Sequence, residues 1–159
     1  MDVSGTIGAI HGSPFVAGLA PSERRRLAAL AVRRTAEPGD VLLHEGAPTS
    51  HLGIVTEGRV ALRLQLPGRG AITVLTVEPG DVFGWSALVP PYRSTSTVVA
   101  VEPTEAVVFD AVALRAALEE DDGLAASLYP RILRSVSRRL EATRMQLLDV
   151  FGHEADEPW

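Results

Sequence analysis

The chain has 159 residues, of which 46% are hydrophobic and 22% charged, and its formal net charge is −5. This size and composition suit one globular domain, and the lack of any run of about 18 apolar residues excludes a membrane-spanning segment. The absence of cysteine excludes disulfides, iron–sulfur clusters and thiolate chemistry, and the negative charge disfavours direct binding to nucleic acid.

The first segment, residues 1–13, is glycine-rich and has no hydrophobic period, so we expect a flexible N-terminus. It lacks the basic flank and apolar run of a secretory signal, which favours a cytoplasmic location. Pro-Ser-Glu at 21–23 then predicts a helix over 21–32, with Leu27, Leu30 and Ala31 on its apolar face.

Residues 33–110 have the texture of a mainly β region. Turn signals with glycine or proline recur between short β-branched runs, and apolar residues alternate with others over 60–66. Pro-Gly-Arg-Gly at 67–70 predicts a hairpin that leads into a strand over 71–77. Many short strands at even spacing are typical of a sandwich, a jelly roll or a barrel.

The helical period returns after Asp110, with a short helix over 112–120, a break at 121–123 and a longer helix over 124–150. Pro130 either kinks this helix or starts its second half. Apolar residues in a heptad pattern form a seam with one polar member: Leu133, Val136, Leu140, Thr143, Leu147 and Val150. Flanking arginines favour a parallel homodimer through this helix; the alternative is that the seam packs on the β-roll of its own chain.

The sequence contains none of the common catalytic patterns: no Gly-x-Ser-x-Gly, no phosphate loop ending in Gly-Lys and no His-Glu-x-x-His. We therefore expect a binding protein and not an enzyme. His44, Glu45 and His51 come nearest to a cupin-like metal set, but a close His-x-His pair is missing. Turn or surface histidines, with no metal, are the expected outcome.

The segment 83–98 carries the strongest chemical signal. Arg93 is the one formally charged residue between Val82 and Val101, and such an arginine either reaches water or pairs with an anion. The small residues Gly84, Ser86 and Ala87 predict a short helical turn whose backbone N–H groups face that anion. Together these features predict a phosphate clamp.

Three segments carry a family resemblance: Pro-Gly-Asp-Val-Leu-Leu-His-Glu-Gly at 38–46, His-Leu-Gly-Ile-Val-Thr-Glu-Gly-Arg-Val at 51–60 and Pro-Gly-Asp-Val-Phe-Gly at 79–84. Over residues 14–150 the chain resembles the cyclic nucleotide-binding domain of Crp/Fnr transcription factors, protein kinase A regulatory subunits and gated channels. The resemblance implies a double-stranded β-helix (a cupin-like jelly roll) followed by a long C-terminal helix. It implies these ligand-binding residues: Phe83, Gly84, Trp85, Ser86, Ala87, Arg93, Ser94 and Thr143.

The sequence departs from that family where a glutamate accepts a hydrogen bond from the ribose. Trp85 occupies this position, and no acidic residue lies between Asp81 and Glu102. A charge-assisted hydrogen bond contributes about 1.5–3 kcal/mol, so its loss weakens cAMP binding about ten- to a hundredfold. Three interpretations stay open: cAMP or cGMP as effector, another anionic small molecule, or an empty pocket in a protein-interaction module. None requires a cofactor.

A further resemblance lies in the long helix and the segment C-terminal to it. Arg-Arg-Leu-Glu-Ala-Thr at 138–143 is similar to a stretch of Crp-type activators in which the threonine contacts adenine, although Thr143 is equally a tolerated polar seam residue. In Crp/Fnr proteins a helix-turn-helix domain comes next, but here a short acidic tail remains at 151–159. Direct DNA binding is therefore not expected, and the domain passes its signal to an unidentified protein partner.

Overall fold

Alternating side chains and tight glycine turns build two antiparallel sheets. The computed structural model describes residues 3–154 of the chain. Within these residues the helices are α1 (Val3–Ile10), α2 (Pro21–Leu30), a 3-10 helix (Trp85–Leu88), α3 (Ala111–Glu120) and α4 (Asp122–Glu154). The strands are β1 (Ala31–Ala36), β2 (Val41–Leu43), β3 (His51–Glu57), β4 (Val60–Leu66), β5 (Gly70–Val77), β6 (Val82–Phe83), β7 (Thr97–Ala100) and β8 (Thr104–Asp110).

The strands form two four-stranded sheets, in the orders β1-β8-β3-β6 and β2-β7-β4-β5. The predicted hairpin is present, with Leu66 paired to Gly70 at the turn between β4 and β5. The predicted mainly β jelly roll followed by a long C-terminal helix is confirmed, because the strands are antiparallel and each sheet places strands distant in sequence side by side.

The core has two parts, one on each face of the first sheet. In β3, Leu52 and Ile54 face the helices, in the part here called the helix-side core, while Val55 faces the second sheet. In β8, Val107 and Phe109 also face the helices, and the residues next to them face the second sheet. Strands buried on both faces read as continuous apolar runs, which explains why β3 shows no simple alternation in the sequence.

The N-terminal elements differ from the sequence prediction. A flexible N-terminus was predicted over 1–13, but Val3–Ile10 forms the helix α1, while residues 1 and 2 lie outside the described part. Ile10 is buried in the helix-side core, so tertiary packing, and not an amphipathic repeat, stabilises this short helix. Helix α2 ends two residues early because Ala31 and Val32 already pair with β8.

Helix α4 is 33 residues long and is not interrupted at Pro130. It starts at Asp122, two residues before the predicted start of the helix at 124. The side chain of Asp121 accepts a hydrogen bond from Leu124 N at 2.9 Å, so the predicted break is the helix cap. The first half of α4 is buried through Leu124, Leu128 and Ile132. No helix within residues 3–154 combines the length and apolar character needed to cross a membrane.

Most of the predicted seam on α4 does not pack on the core of its own chain. Val136 is partly buried against the helix-side core, but Leu133, Leu140, Leu147 and Val150 are all exposed. The side chain of Leu133 is 69% exposed, well above what a core position allows. The seam is therefore an apolar surface of this chain, and the predicted homodimer remains a prediction.

Candidate functional site

The end of β6 shapes the site through one glycine. Gly84 has a φ of +74° and is followed by the 3-10 helix, in which Ala87 N donates to Gly84 O at 3.0 Å. A Cβ on Gly84 would lie 2.4 Å from the carbonyl oxygen of His51. The predicted short helical turn is thus present, and it depends on a residue with no side chain at its start.

Phe83 anchors the turn from below. Its ring is fully buried and lies against Gly53 of β3, where an added Cβ would be 2.1 Å from Cζ of the ring. The His51 ring meets the Phe83 ring edge to face, with 5.8 Å between centroids. Phe83 therefore supports the site and does not line it, and the same holds for Ala87, which is fully buried.

Backbone hydrogen bonds hold the loop after the turn in place. Ser94 N donates to Ala47 O at 2.9 Å, and Gly46 N donates to Ser94 O at 2.8 Å. The Ser94 hydroxyl donates to Ser96 O at 2.7 Å, and the Ser86 hydroxyl lies 2.9 Å from that of Thr49. The hydroxyls of Ser86 and Ser94 are therefore already engaged within the chain.

These elements enclose a small cavity of about 50 Å³, here called the cassette pocket. Its lining residues are Leu62, Gly84, Trp85, Ser86, Ser94, Thr95, Ser96, Val98 and Arg139. Four of the predicted ligand-binding residues thus come together here, while Phe83, Ala87, Arg93 and Thr143 lie outside the lining. The half-buried Trp85 both lines the pocket and packs against the helix-side core.

Arg93 does not line the cassette pocket. Its side chain is exposed, and its Nη1 donates to Gly46 O at 2.7 Å. A β-bridge between Pro48 and Arg93 holds the backbone beside the same loop. The clamp predicted around Arg93 is therefore not assembled in this structure, because the guanidinium is bonded to Gly46 O and lies outside the pocket lining.

Thr143 is also directed elsewhere. Its side chain is exposed, and its hydroxyl donates to Arg139 O, one turn back along α4, at 2.8 Å. This local hydrogen bond is a common arrangement for threonine within a helix. Within this chain Thr143 therefore makes no contact with the cassette pocket.

Arg139 is the site residue that the sequence analysis missed. It lies on α4 and is the one formally charged residue in the lining of the cassette pocket. Its Nη2 is buried and has no hydrogen-bond partner among the described residues. Burial lowers the pKa of this guanidinium, Asp81 acts in the opposite direction, and Arg138 lowers it further. A helical register of 135, 139 and 142 facing β5 is the signal that could have found it.

His51 is a buried histidine whose protonation makes the stability of the site depend on pH. Burial lowers its pKa to about 4, Arg34 adds to this, and Asp110 opposes it. Its Nδ1 lies 2.8 Å from the Ser50 hydroxyl, and its Nε2 is buried without a partner, which suits a neutral ring. Within residues 3–154, no three His, Asp or Glu residues lie close enough together to hold a metal ion.

The expected result is a loss of stability in mild acid. Between pH 6.5 and 4 the unfolded chain binds a proton at His51 that the folded chain excludes, so the free energy of unfolding falls as the pH falls. At 1.36 kcal/mol per pKa unit the loss reaches up to about 3 kcal/mol. Urea unfolding at pH 7.5 and 4.5 measures it. His51→Gln should reduce the difference in unfolding free energy between the two pH values, and His44→Gln, at an exposed position, should leave it unchanged. A difference that stays the same in His51→Gln contradicts the assignment of the acid sensitivity to His51.

Comparison with known proteins identifies the family to which this fold belongs. The cyclic nucleotide-binding domain family model matches residues 33–121, and the chain belongs to this family, whose members are mainly regulatory. It is 33% identical to acetyltransferase Pat of Mycolicibacterium smegmatis, over 80% of this chain and 37% of that protein. It is 33% identical to the cyclic AMP receptor protein of Thermus thermophilus, over 60% of this chain and 44% of that protein.

Among solved structures, a putative cyclic nucleotide-binding protein from Geobacter metallireducens superposes with a TM-score of 0.77 at 27% identity. The match covers 85% of this chain and 98% of that one. The chain spans less than half the length of the curated relatives that it matches. The predicted family resemblance is thereby confirmed for the fold and the domain.

Proposed function

We propose that this domain is a sensor that binds a small anionic effector in the cassette pocket and transmits binding to a partner protein through α4. The observation that carries the proposal is the composition of the pocket wall. The wall combines the turn after β6, the loop over 94–96 and one face of α4, and its one formal charge is positive. An occupant therefore touches both the β-roll and the helix, and an anion is favoured.

The chemistry of the effector is set by the same wall. A phosphate-bearing molecule suits the arginine and the hydroxyl-rich loop, and the names of two relatives refer to cyclic AMP. Trp85 offers a flat apolar surface for a base, but no carboxylate in the lining accepts a ribose hydroxyl. We therefore expect cAMP or cGMP to bind about ten- to a hundredfold more weakly than with that carboxylate, which leaves room for another anion.

The small size of the cassette pocket links binding to movement. Sites for drug-sized ligands occupy about 300–1,000 Å³, far more than the 50 Å³ seen here. A nucleotide fits only if α4, Trp85 or the loop over 94–96 moves outward. The effector then selects an open state that the free domain populates rarely, which is how binding becomes a signal.

The test is a calorimetric titration of the full chain with cAMP, cGMP and cyclic dinucleotides. We expect heat from at least one of them, together with a change in Trp85 emission. The chain has two tryptophans, so a Trp159→Phe variant isolates that emission. If none of these ligands produces heat or a fluorescence change, the nucleotide form of the proposal is overturned.

A second candidate function is a ligand-free interaction or dimerisation module, favoured by the exposed seam on α4. We expect a parallel homodimer, with twice the chain mass in light scattering after size-exclusion chromatography. Leu140→Glu with Leu147→Glu should give a monomer, because two buried charges per helix oppose pairing. The control is Val112→Glu, an equally exposed position on α3. A wild-type chain that elutes as a monomer contradicts the dimer.

Cytoplasmic location and the lack of direct DNA binding stay predictions.

A further inference from the structure

Arg139 differs from Arg138 and Arg93 because one of its guanidinium nitrogens, Nη2, is buried without a hydrogen-bond partner among the described residues. Arg138, its neighbour in sequence, reaches Asp81 at 3.4 Å, and Arg93 donates to Gly46 O. Arg139 makes no side-chain hydrogen bond or salt bridge among residues 3–154, although its Nη2 is buried. A buried guanidinium N–H without an acceptor destabilises the folded chain unless an ordered water or a ligand supplies the acceptor.

Arg139 borders two cavities, one beside β5 and the other the cassette pocket. The cavity beside β5 also contains Asp81, whose negative charge disfavours an anion there. The cassette pocket contains no carboxylate, so an anion is favoured on that side. Thr95 and Ser96 line the same pocket, and neither hydroxyl makes a hydrogen bond with another described residue. The wall therefore combines one guanidinium with hydroxyls that are free to donate to an anion.

We propose that Arg139 of α4, and not Arg93, pairs with the anionic group of the effector. The ligand chemistry is a compact oxyanion, such as the phosphate of a cyclic phosphodiester, which accepts hydrogen bonds from Arg139 Nη2 and from the hydroxyls of Thr95 and Ser96. This inference rests on the proposed function of the same pocket. Because Arg139 belongs to α4, the charge of the ligand acts on the signalling helix directly.

The test compares three arginine-to-glutamine variants of the full chain by calorimetry, with cAMP and cGMP as probes. Arg139→Gln should weaken binding about ten- to a hundredfold, the range expected for one lost charge-assisted hydrogen bond. Arg93→Gln and the matched control Arg138→Gln should each stay within about threefold, because neither side chain lines the pocket. Arg139→Lys should recover part of the affinity, since it retains the charge.

The outcomes separate the two proposals. If Arg93→Gln abolishes binding and Arg139→Gln does not, this inference is overturned while the sensor function stands. If the wild-type chain binds neither probe, inorganic phosphate decides. Phosphate should raise the melting temperature of wild type more than that of Arg139→Met, since general salt effects are shared by both. Equal shifts overturn the inference.

A last measurement needs no ligand. Arg139 is half-buried and its Nη2 lacks a partner, so Arg139→Met removes an unpaired N–H at little cost in packing. The variant should therefore melt at the wild-type temperature or a few degrees above it. Arg93→Met loses one exposed hydrogen bond and should melt at or slightly below that temperature. A fall of more than about 4 °C for Arg139→Met, which corresponds to a substantial loss in a domain of this size, identifies a structural residue and overturns the inference.

Discussion

Replacing Phe83 by alanine is expected to lower the free energy of unfolding by about 3–5 kcal/mol, the largest effect of any substitution considered. The ring is fully buried at the point where β6 pairs with β3. It lies on the bare backbone of Gly53, and His51 meets it edge to face. Neither neighbour can expand into the space, so the substitution leaves a cavity. Urea unfolding followed by far-UV circular dichroism measures the loss.

The chain provides a matched control for this substitution. Phe151 is 59% exposed near the end of α4, so Phe151→Ala should change stability by no more than about 0.5 kcal/mol. Phe83→Leu should lie between the two, because leucine fills part of the ring volume. A loss below about 1.5 kcal/mol for Phe83→Ala would contradict the packing described for the floor of the site.

Gly84→Ala is expected to be the second most damaging change, at about 2–5 kcal/mol. Two costs add at this position. The φ of +74° is unfavourable for any residue with a Cβ, and that Cβ would meet His51 O at 2.4 Å and Leu43 Cδ1 at 3.0 Å. The carbonyl belongs to the backbone of a central strand and cannot yield, so the turn must shift. Equilibrium unfolding measures the loss, and weaker ligand binding should accompany it.

Gly68→Ala separates the two costs. Gly68 lies in the turn between β4 and β5 with the same φ of +74°, but a Cβ there meets nothing within 4 Å. It should therefore cost only the conformational part, about 1–2 kcal/mol. Equal losses for the two variants would show that the contact between Gly84 and β3 contributes nothing to stability.

Local patterns explain which parts of the fold could be predicted. The alternation over 60–66 and the Pro-Gly-Arg-Gly turn specify the β4–β5 hairpin without reference to any distant residue. The turn after β6 could be predicted equally well from the sequence, because a glycine followed by small residues suits few other structures. Helix α1 was not readable, since packing of Ile10 on the distant core stabilises it and no sequence period reports that contact.

The candidate site was predicted less well because the direction of an arginine side chain depends on tertiary contacts. Arg93 was expected in the pocket as the one charge in an apolar segment, but a carbonyl 47 positions earlier in the chain accepts its hydrogen bond. Arg139 was one of several arginines flanking the seam. Its burial depends on how α4 crosses β5, and this crossing is set by the whole core of the domain.

The length of α4 has a mechanical consequence. At a rise of about 1.5 Å per residue, the fifteen residues that follow Arg139 to the end of the helix form a rod about 22 Å long. If ligand binding tilts the helix by about 10° around the pocket, the far end moves by about 4 Å, since displacement grows with distance from the pivot. On the proposal that α4 transmits ligand binding, the helix acts as a lever that turns a small adjustment beside Arg139 into a displacement large enough for another protein to detect.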